Sequence, residues 1–273
     1  MSNNYSIING EFIPKNEARI SISDLAIQRG YGIFDYFRTV NFNPLFLEDH
    51  LDRFYYSASE MHLEVEQNRE QLKELIYHLI EKNNLPDSGI KLTLTGGYSD
   101  DGYSMGNPNL IITQSIFKYD PGNFEKGLCL MTYNHQRQLP QVKTIDYLQA
   151  VRLQPLLKEK NAEDILYHKD GEITECPRAN FFVVTQDDEI ITADENVLKG
   201  ITRKKVLELE GFAFKEKNIN LRDIPAIKEA FISSTTKNIL PVLKIDGKKI
   251  GNGIPGEITT AIYNKICAIK ESA

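Results

Sequence analysis

From residue 128 to residue 245 the chain is a succession of short strand-like runs: LCLMTY, DILYH, EIT, NFFVV, EIIT, FAFKE, AFIS and VLKI. Runs this short read as strands rather than helices, and their close spacing obliges a sheet to collect them. Lys169-Asp170-Gly171-Glu172 and Asp246-Gly247 supply the sharp turns that such a sheet needs. The second half therefore predicts a β-rich, barrel-like domain with few helices.

The first half has a different pattern. YSII and EFIP flank Asn9-Gly10, a strong hairpin signal. Leu51, Phe54, Tyr55 and Ala58 recur at helical spacing, and Leu72, Leu75, Ile76, Leu79 and Ile80 form a second apolar stripe. The runs IKLTLT and NLIITQSIF follow, separated by a Gly-rich loop from Gly96 to Pro108. Helices and strands on one sheet predict a small α/β domain over residues 1–120, with the larger domain over 121–273. YDPGNFEKG, rich in turn formers, is the expected linker between them. RKKVLELEG predicts a helix closed by Gly211, and Ile258, Ala261, Ile262, Ile266 and Ile269 predict a last amphipathic helix. The fold class expected is α/β (α+β) in two domains.

Composition narrows the function. A net charge of -6 argues against a broad nucleic-acid surface, although a local basic pocket for a phosphate or carboxylate stays open. The polar start MSNNYSIINGEFIP lacks the features of a signal peptide, and no apolar run approaches the roughly 20 residues of a membrane span. Cys129, Cys176 and Cys267 are widely spaced, which suits reduced thiols in the cytoplasm. The histidines (His50, His62, His78, His135 and His168) show no ligand spacing, so no metal site is expected.

Several residues are candidates for chemistry on local grounds. Gly200-Ile201-Thr202 opens a helix, where backbone N–H groups and a hydroxyl can meet an anion, although an ordinary N-cap is the bland reading. Ser233-Ser234-Thr235-Thr236 ends a strand and offers more hydroxyls. Arg53 lies off its helix's apolar stripe, either solvated or lining a cleft where it grips a phosphate. Glu175 follows a short strand as an ordinary carboxylate, and nothing in its spacing marks Lys143.

Taken in order, VKTIDYLQA (142–150), DGEITECPRANFFVV (170–184), LKGITRKKVLEL (198–209) and EAFISSTTKNILPV (229–242) form a pattern. Upstream stand RGYGIFDYFRTV (29–40) and LEDHLDRFYYSA (47–58). Together they resemble class IV aminotransferases, the fold-type IV pyridoxal-phosphate enzymes, over nearly the whole chain.

The resemblance implies a cofactor, pyridoxal 5'-phosphate, and a role for each matching residue. Lys143 corresponds to the lysine that bonds to the cofactor aldehyde and then moves the substrate proton. Glu175 corresponds to the carboxylate that pairs with the pyridine nitrogen. Arg53, Gly200, Ile201, Thr202, Ser234 and Thr235 correspond to the phosphate cup. Tyr147 is expected near the phenolic oxygen, although branched-chain enzymes carry that tyrosine one place later. Asn180 is expected to support the loop around Glu175, and Arg137 is a further candidate near the cofactor. The family also implies a homodimer acting on small amino and 2-oxo acids, its active site between the two domains.

Substrate choice is argued from departures. Thr95-Gly96-Gly97-Tyr98-Ser99 occupies the region where D-amino-acid aminotransferases usually carry an Arg-x-His carboxylate trap, and neither residue is present. Arg178, three residues after Glu175, stands where most relatives carry a small residue. Arg178 with Arg29 is therefore expected to bind the α-carboxylate, the alternative being that Arg178 pairs with a nearby acid. Lys143-Thr-Ile-Asp146 looks closer to the D-amino-acid and lyase members. Arg38 matches branched-chain and lyase members alike.

The first choice is a D-amino-acid:2-oxoglutarate transaminase. Second is an L-branched-chain transaminase, with Phe34, Tyr36 and Tyr31 as an apolar pocket; Thr236 is a further candidate for substrate binding. Third is aminodeoxychorismate lyase, which Thr174-Glu175-Cys176 resembles but the bulky Tyr36 disfavours. A cofactor-free binding or scaffold protein is the reading from another class.

Overall fold

Asn9 and Gly10 turn the chain with positive φ angles of 51° and 86°, joining β1 (Tyr5–Ile8) to β2 (Glu11–Pro14). In the computed structural model, which describes residues 4–271, this hairpin opens the first of two units. That unit continues through α1 (Leu25–Arg29), β3 (Gly32–Val40), β4 (Asn43–Pro44), α2 (Leu47–Glu60), α3 (Arg69–Asn83), β5 (Ser88–Thr95) and β6 (Leu110–Ile116). The strands form one antiparallel sheet in the order β2-β1-β6-β5-β3-β4.

Alternation along β3 sets the two faces of this sheet. Ile33, Asp35, Phe37 and Thr39 point into the core, whereas Phe34, Tyr36, Arg38 and Val40 point the other way and are only half-buried. Ile33 and Phe37 meet Leu51 and Phe54 of α2 and Leu72, Ile76 and Leu79 of α3. The helical stripes read from the sequence are therefore what covers the sheet. Val142–Asp146 also belongs to this unit, although most of its sequence neighbours do not. Val142 is buried in the same core, and a bridge pairs Ile33 with Thr144. A single cut near residue 120 does not describe this return.

The second unit comprises Tyr119–Gln141 and residues 147–271. It starts with α4 (Gly122–Lys126), so the expected linker is partly helical. Phe124 is buried and stacks on Tyr263 at 4.2 Å, which makes this segment part of the core. There follow β7 (Leu128–Asn134), α5 (Leu148–Arg152), α6 (Gln154–Lys160), β8 (Asp164–Lys169), β9 (Glu172–Ile173), β10 (Glu175–Cys176), β11 (Ala179–Val184) and β12 (Glu189–Thr192). The chain ends through α7 (Ile201–Leu207), β13 (Ala213–Glu216), β14 (Ile219–Asn220), β15 (Glu229–Ser234), β16 (Asn238–Ile245), β17 (Lys248–Lys249) and α8 (Glu257–Glu271).

These strands make one mixed sheet in the order β13-β12-β11-β15-β16-β7-β8-β9-β14. The hydrogen-bonded path has two ends, so the architecture is β-rich without a closed ladder among the described residues. Two helices differ from expectation, one at its end and one in the face it buries. Helix α7 stops at Leu207, with Glu208 as its C-cap, and Gly211 lies beyond it at φ 88°. On α8 the buried residues include Ile262 and Ile266, whereas Ala261 is exposed and Tyr263 takes its place against the core. No helix among the described residues is long and apolar enough to cross a membrane.

Candidate active site

The reading of Arg53 as a solvated cation is corrected by its surroundings. Its Nε and Nη2 donate to Asp35 Oδ2 and Oδ1, each at 2.8 Å, and Asp35 is completely buried. His50 Nδ1 lies 2.7 Å from Asp35 Oδ1. An ionised carboxylate only accepts, so His50 Nδ1 carries the hydrogen. Burial alone raises the Asp35 pKa, but Arg53 and His50 reverse that and hold the carboxyl well below its usual range. Burial lowers the His50 pKa, and Arg53 and Lys143 oppose its protonation further, against the pull of Asp35. A neutral histidine thus helps orient one arginine through a buried acid.

Lys143 is held by its backbone at the edge of β3. Its carbonyl accepts from Phe34 N at 2.9 Å, and its N–H donates to Ser57 Oγ of α2 at 3.2 Å. Its Nζ lies 4.6 Å from the centre of the Phe34 ring, on the half-buried face of the sheet. Tyr36 shares that face. A Cβ at Gly89 would sit 1.8 Å from Tyr36 Oη, so the phenol lies across a position that only glycine leaves open. Tyr31 does not join this face, because its hydroxyl donates to Met61 O at 2.6 Å and its ring packs on the core. Arg29 is exposed at the end of α1, donating to Gln28 O.

In the second unit one backbone segment is gripped from both sides. Glu175, 4% exposed, accepts from Leu198 N at 3.0 Å through Oε2 and from Arg137 Nε at 2.7 Å through Oε1. Asn180, paired with Glu175 across β10 and β11, donates from Nδ2 to Leu198 O at 2.7 Å. Two residues on, a Cβ at Gly200 would lie 2.2 Å from Asn180 Oδ1. This clamp fixes the start of α7, where Gly200 is the N-cap and no side chain caps the helix. Ile201 and Thr202 in that first turn are buried. Asn180 also pairs with Ser233, which places Ser234 and Thr235 at the neighbouring strand end. Ser234 Oγ accepts from Lys237 N at 3.0 Å, and Thr236 is exposed.

Arg178 is exposed in the turn between β10 and β11, and among the described residues no acid pairs with it. Tyr147 is half-buried at the start of α5. Sequence patterns do not reveal Asp35, His50 or the part Leu198 plays. Their partners lie 15 to 23 residues away, beyond the reach of helix or strand periodicity. Among the described residues no group of His, Cys, Asp and Glu could hold a metal.

A family profile, amino-transferase class IV, matches residues 32–245, a span holding the Arg53 cluster, Lys143 and the Leu198 clamp. The chain belongs to this family. Among its relatives is a D-alanine aminotransferase of Staphylococcus haemolyticus, 30% identical over 97% of this chain and 98% of that protein. The D-alanine aminotransferase of Bacillus licheniformis is 29% identical over 95% and 96%. The fold matches a branched-chain amino acid aminotransferase from T.th., solved with pyridoxamine 5'-phosphate, at a TM-score of 0.90. There the identity is 21%, covering 99% of this chain and 95% of that one.

Proposed function

We propose that the protein is a pyridoxal-phosphate-dependent transaminase that moves the amino group of a D-amino acid to a 2-oxo acid such as 2-oxoglutarate. The observation that carries this reading is the Leu198 clamp. It holds a buried carboxylate, Glu175, and an uncapped helix start, Gly200 to Thr202, on one short stretch of backbone. A ligand with a basic ring nitrogen and a phosphate needs those two partners. The donor set fits the cofactor: N–H groups and hydroxyls of Gly200, Ile201, Thr202, Ser234 and Thr235 suit the phosphate, with Arg53 as its cation.

When bound, the cofactor supplies the sink for the electron pair left as the substrate α-proton departs. Lys143 would hold the cofactor covalently through Nζ, and the same Nζ, once released, would take up the proton of the substrate α-carbon and hold it for return. Glu175 would keep a proton on the ring nitrogen; Leu198 N and Arg137 Nε hold that carboxylate, and Asn180 steadies Leu198 through its carbonyl. Tyr147 orients the ring through its phenolic oxygen. Arg178, with Arg29, takes the substrate α-carboxylate, a role supported by the absence of any paired acid on Arg178 among the described residues. The D-configuration is supported by relatives named D-alanine aminotransferase that cover almost the whole chain. The second reading, an L-branched-chain transaminase, draws on Phe34 and Tyr36 as a wall for an apolar side chain.

The working form is a homodimer in the cytoplasm, the latter supported by three free cysteines. Borohydride reduction followed by peptide mass spectrometry tests the assignment of Lys143. The cofactor mass is expected on the peptide containing Lys143 and absent in Lys143→Ala. Trapping on another lysine overturns the reading. Pyruvate release without an amino acceptor would move the protein to the lyases.

A further inference from the structure

Asp24 is the N-cap of α1 and is completely buried, yet the donors around its carboxylate are all neutral. Oδ1 accepts from Ala26 N at 2.8 Å, and Oδ2 accepts from Thr95 Oγ1 at 2.7 Å and from Asn109 Nδ2 at 2.8 Å. Thr95 ends β5 and Asn109 immediately precedes β6, so one side chain ties α1 to two strands of the sheet. An ionised carboxylate only accepts, which sets the direction of the amides beyond it. Asn109 turns Nδ2 toward Asp24 and offers Oδ1 to Asn9 Nδ2 at 2.9 Å; Asn9 Oδ1 then takes Leu110 N at 2.9 Å. A polarised chain of bonds thus runs from the β1–β2 turn to the start of α1.

This anchorage ends on Arg29. Helix α1 has five residues, too few to hold itself in water, and only Leu25 among them is buried. Arg29 is the last of the five, so its place follows from the cap at the other end. The Gly96 to Pro108 loop stands beside it, since a Cβ at Gly102 would lie 3.7 Å from Arg29 Nη2. That loop is fastened to the same segment. Tyr98 bridges to Asp24, Ser99 N donates to Ser23 O at 3.0 Å, and Leu25 N donates to Gly97 O at 3.0 Å. The helix that carries the guanidinium and the loop beside it are both held where the buried carboxylate sits.

We propose that Asp24 is a positioning residue for substrate binding, setting Arg29 through α1 and the loop in the pose that takes the substrate carboxylate. This rests on the reading of Arg29 as a carboxylate ligand. Asp24 acts on affinity and leaves the proton transfer at Lys143 alone. The polarised chain supplies a way to break and repair the effect. Asp24→Asn keeps the shape, but whichever way the introduced amide turns, its NH2 group meets a donor, either Ala26 N or Asn109 Nδ2. The double variant Asp24→Asn/Asn109→Asp moves the charge one place along the chain and gives that NH2 group an acceptor, which still receives Asn9 Nδ2.

The test follows the D-alanine half-reaction of the holoenzymes against substrate concentration, together with hydrogen exchange over residues 25–30 and 97–106. Asp24→Asn should raise the half-saturating concentration about tenfold, hold the limiting rate within about twofold and speed exchange in both segments. The double variant should recover affinity and protection together. Arg29→Ala should raise half-saturation to a similar degree, and adding Asp24→Asn to it should bring little further loss. A lowered limiting rate with unchanged half-saturation, additive losses with Arg29→Ala, or no recovery in the double variant overturns the proposal. If Arg29→Ala binds D-alanine as the parent does, the carboxylate reading of Arg29 falls and takes the substrate role of Asp24 with it, whereas exchange still decides whether Asp24 fixes the helix.

Discussion

Arg137 Nε stands 2.7 Å from Glu175 Oε1, so the carboxylate assigned to the ring nitrogen is held from its other side by a cation of the same unit. Both side chains are largely buried, and the second oxygen is committed to Leu198 N. Removing one partner of a buried pair leaves an uncompensated charge. Arg137→Met should therefore lower unfolding stability by about 3 kcal/mol in urea titrations at neutral pH. Glu175→Gln keeps the shape but loses the charge. It should retain the cofactor by absorbance yet slow the half-reaction on the order of a hundredfold. Full activity in Glu175→Gln would remove the carboxylate from the mechanism.

Gly200 is a packing requirement that its neighbour explains. An added methyl would lie 2.2 Å from Asn180 Oδ1, pushing away the side chain that grips Leu198. Gly200→Ala should cost about 1–3 kcal/mol of stability and weaken pyridoxal-phosphate binding measured by equilibrium dialysis. Combined with Asn180→Ala, the added cost should largely disappear, since the two changes act on one contact. Additive losses would place the strain elsewhere.

The Asp35, His50 and Arg53 cluster predicts acid lability. Asp35 has a lowered pKa, its burial outweighed by Arg53 and His50, so its stabilisation is present above about pH 4 and lost as pH falls. His50 also has a lowered pKa, chiefly through burial. The unfolded chain therefore binds a proton before the folded one does, and stability declines as pH drops below about 6.5. Urea unfolding should show a loss of about 1 kcal/mol between pH 7.5 and 5.5 in the parent. His50→Asn should flatten that interval and leave the acid limb of Asp35. An unchanged slope would assign the upper limb to other groups.

Local signals carry much of the fold. The Asn9-Gly10 turn, the stripes of α2 and α3 and most of the short strands follow directly from period and turn chemistry. Helices α5 and α6 leave only a short signal, because neither fully buries a residue of its own and α6 rests just Leu156 and Leu157 against a small core beside Leu153. The end of α7 is misleading in sequence, since Gly211 looks like a cap while the helix has already stopped at Leu207. The site is legible only through the order of its motifs. Period and spacing make Lys143, Glu175 and Arg53 ordinary charged residues. What distinguishes them is contact at long range: Arg53 with Asp35, Glu175 with Arg137 and Leu198, Lys143 with Phe34 and Ser57. Tyr31 illustrates the converse. Its place beside Phe34 and Tyr36 in sequence suggests a shared pocket, yet its hydroxyl is spent on Met61 O.

The most direct measurement is the half-reaction spectrum. The pyridoxal-phosphate form is mixed separately with D-alanine, D-glutamate, L-leucine and L-glutamate, and conversion to the pyridoxamine form is followed by absorbance. Fast conversion by the D-amino acids alone is the predicted result, and Arg178→Ala should then slow it. Fast conversion by the L-amino acids alone would contradict the D-specific account and leave Arg178 in need of another role.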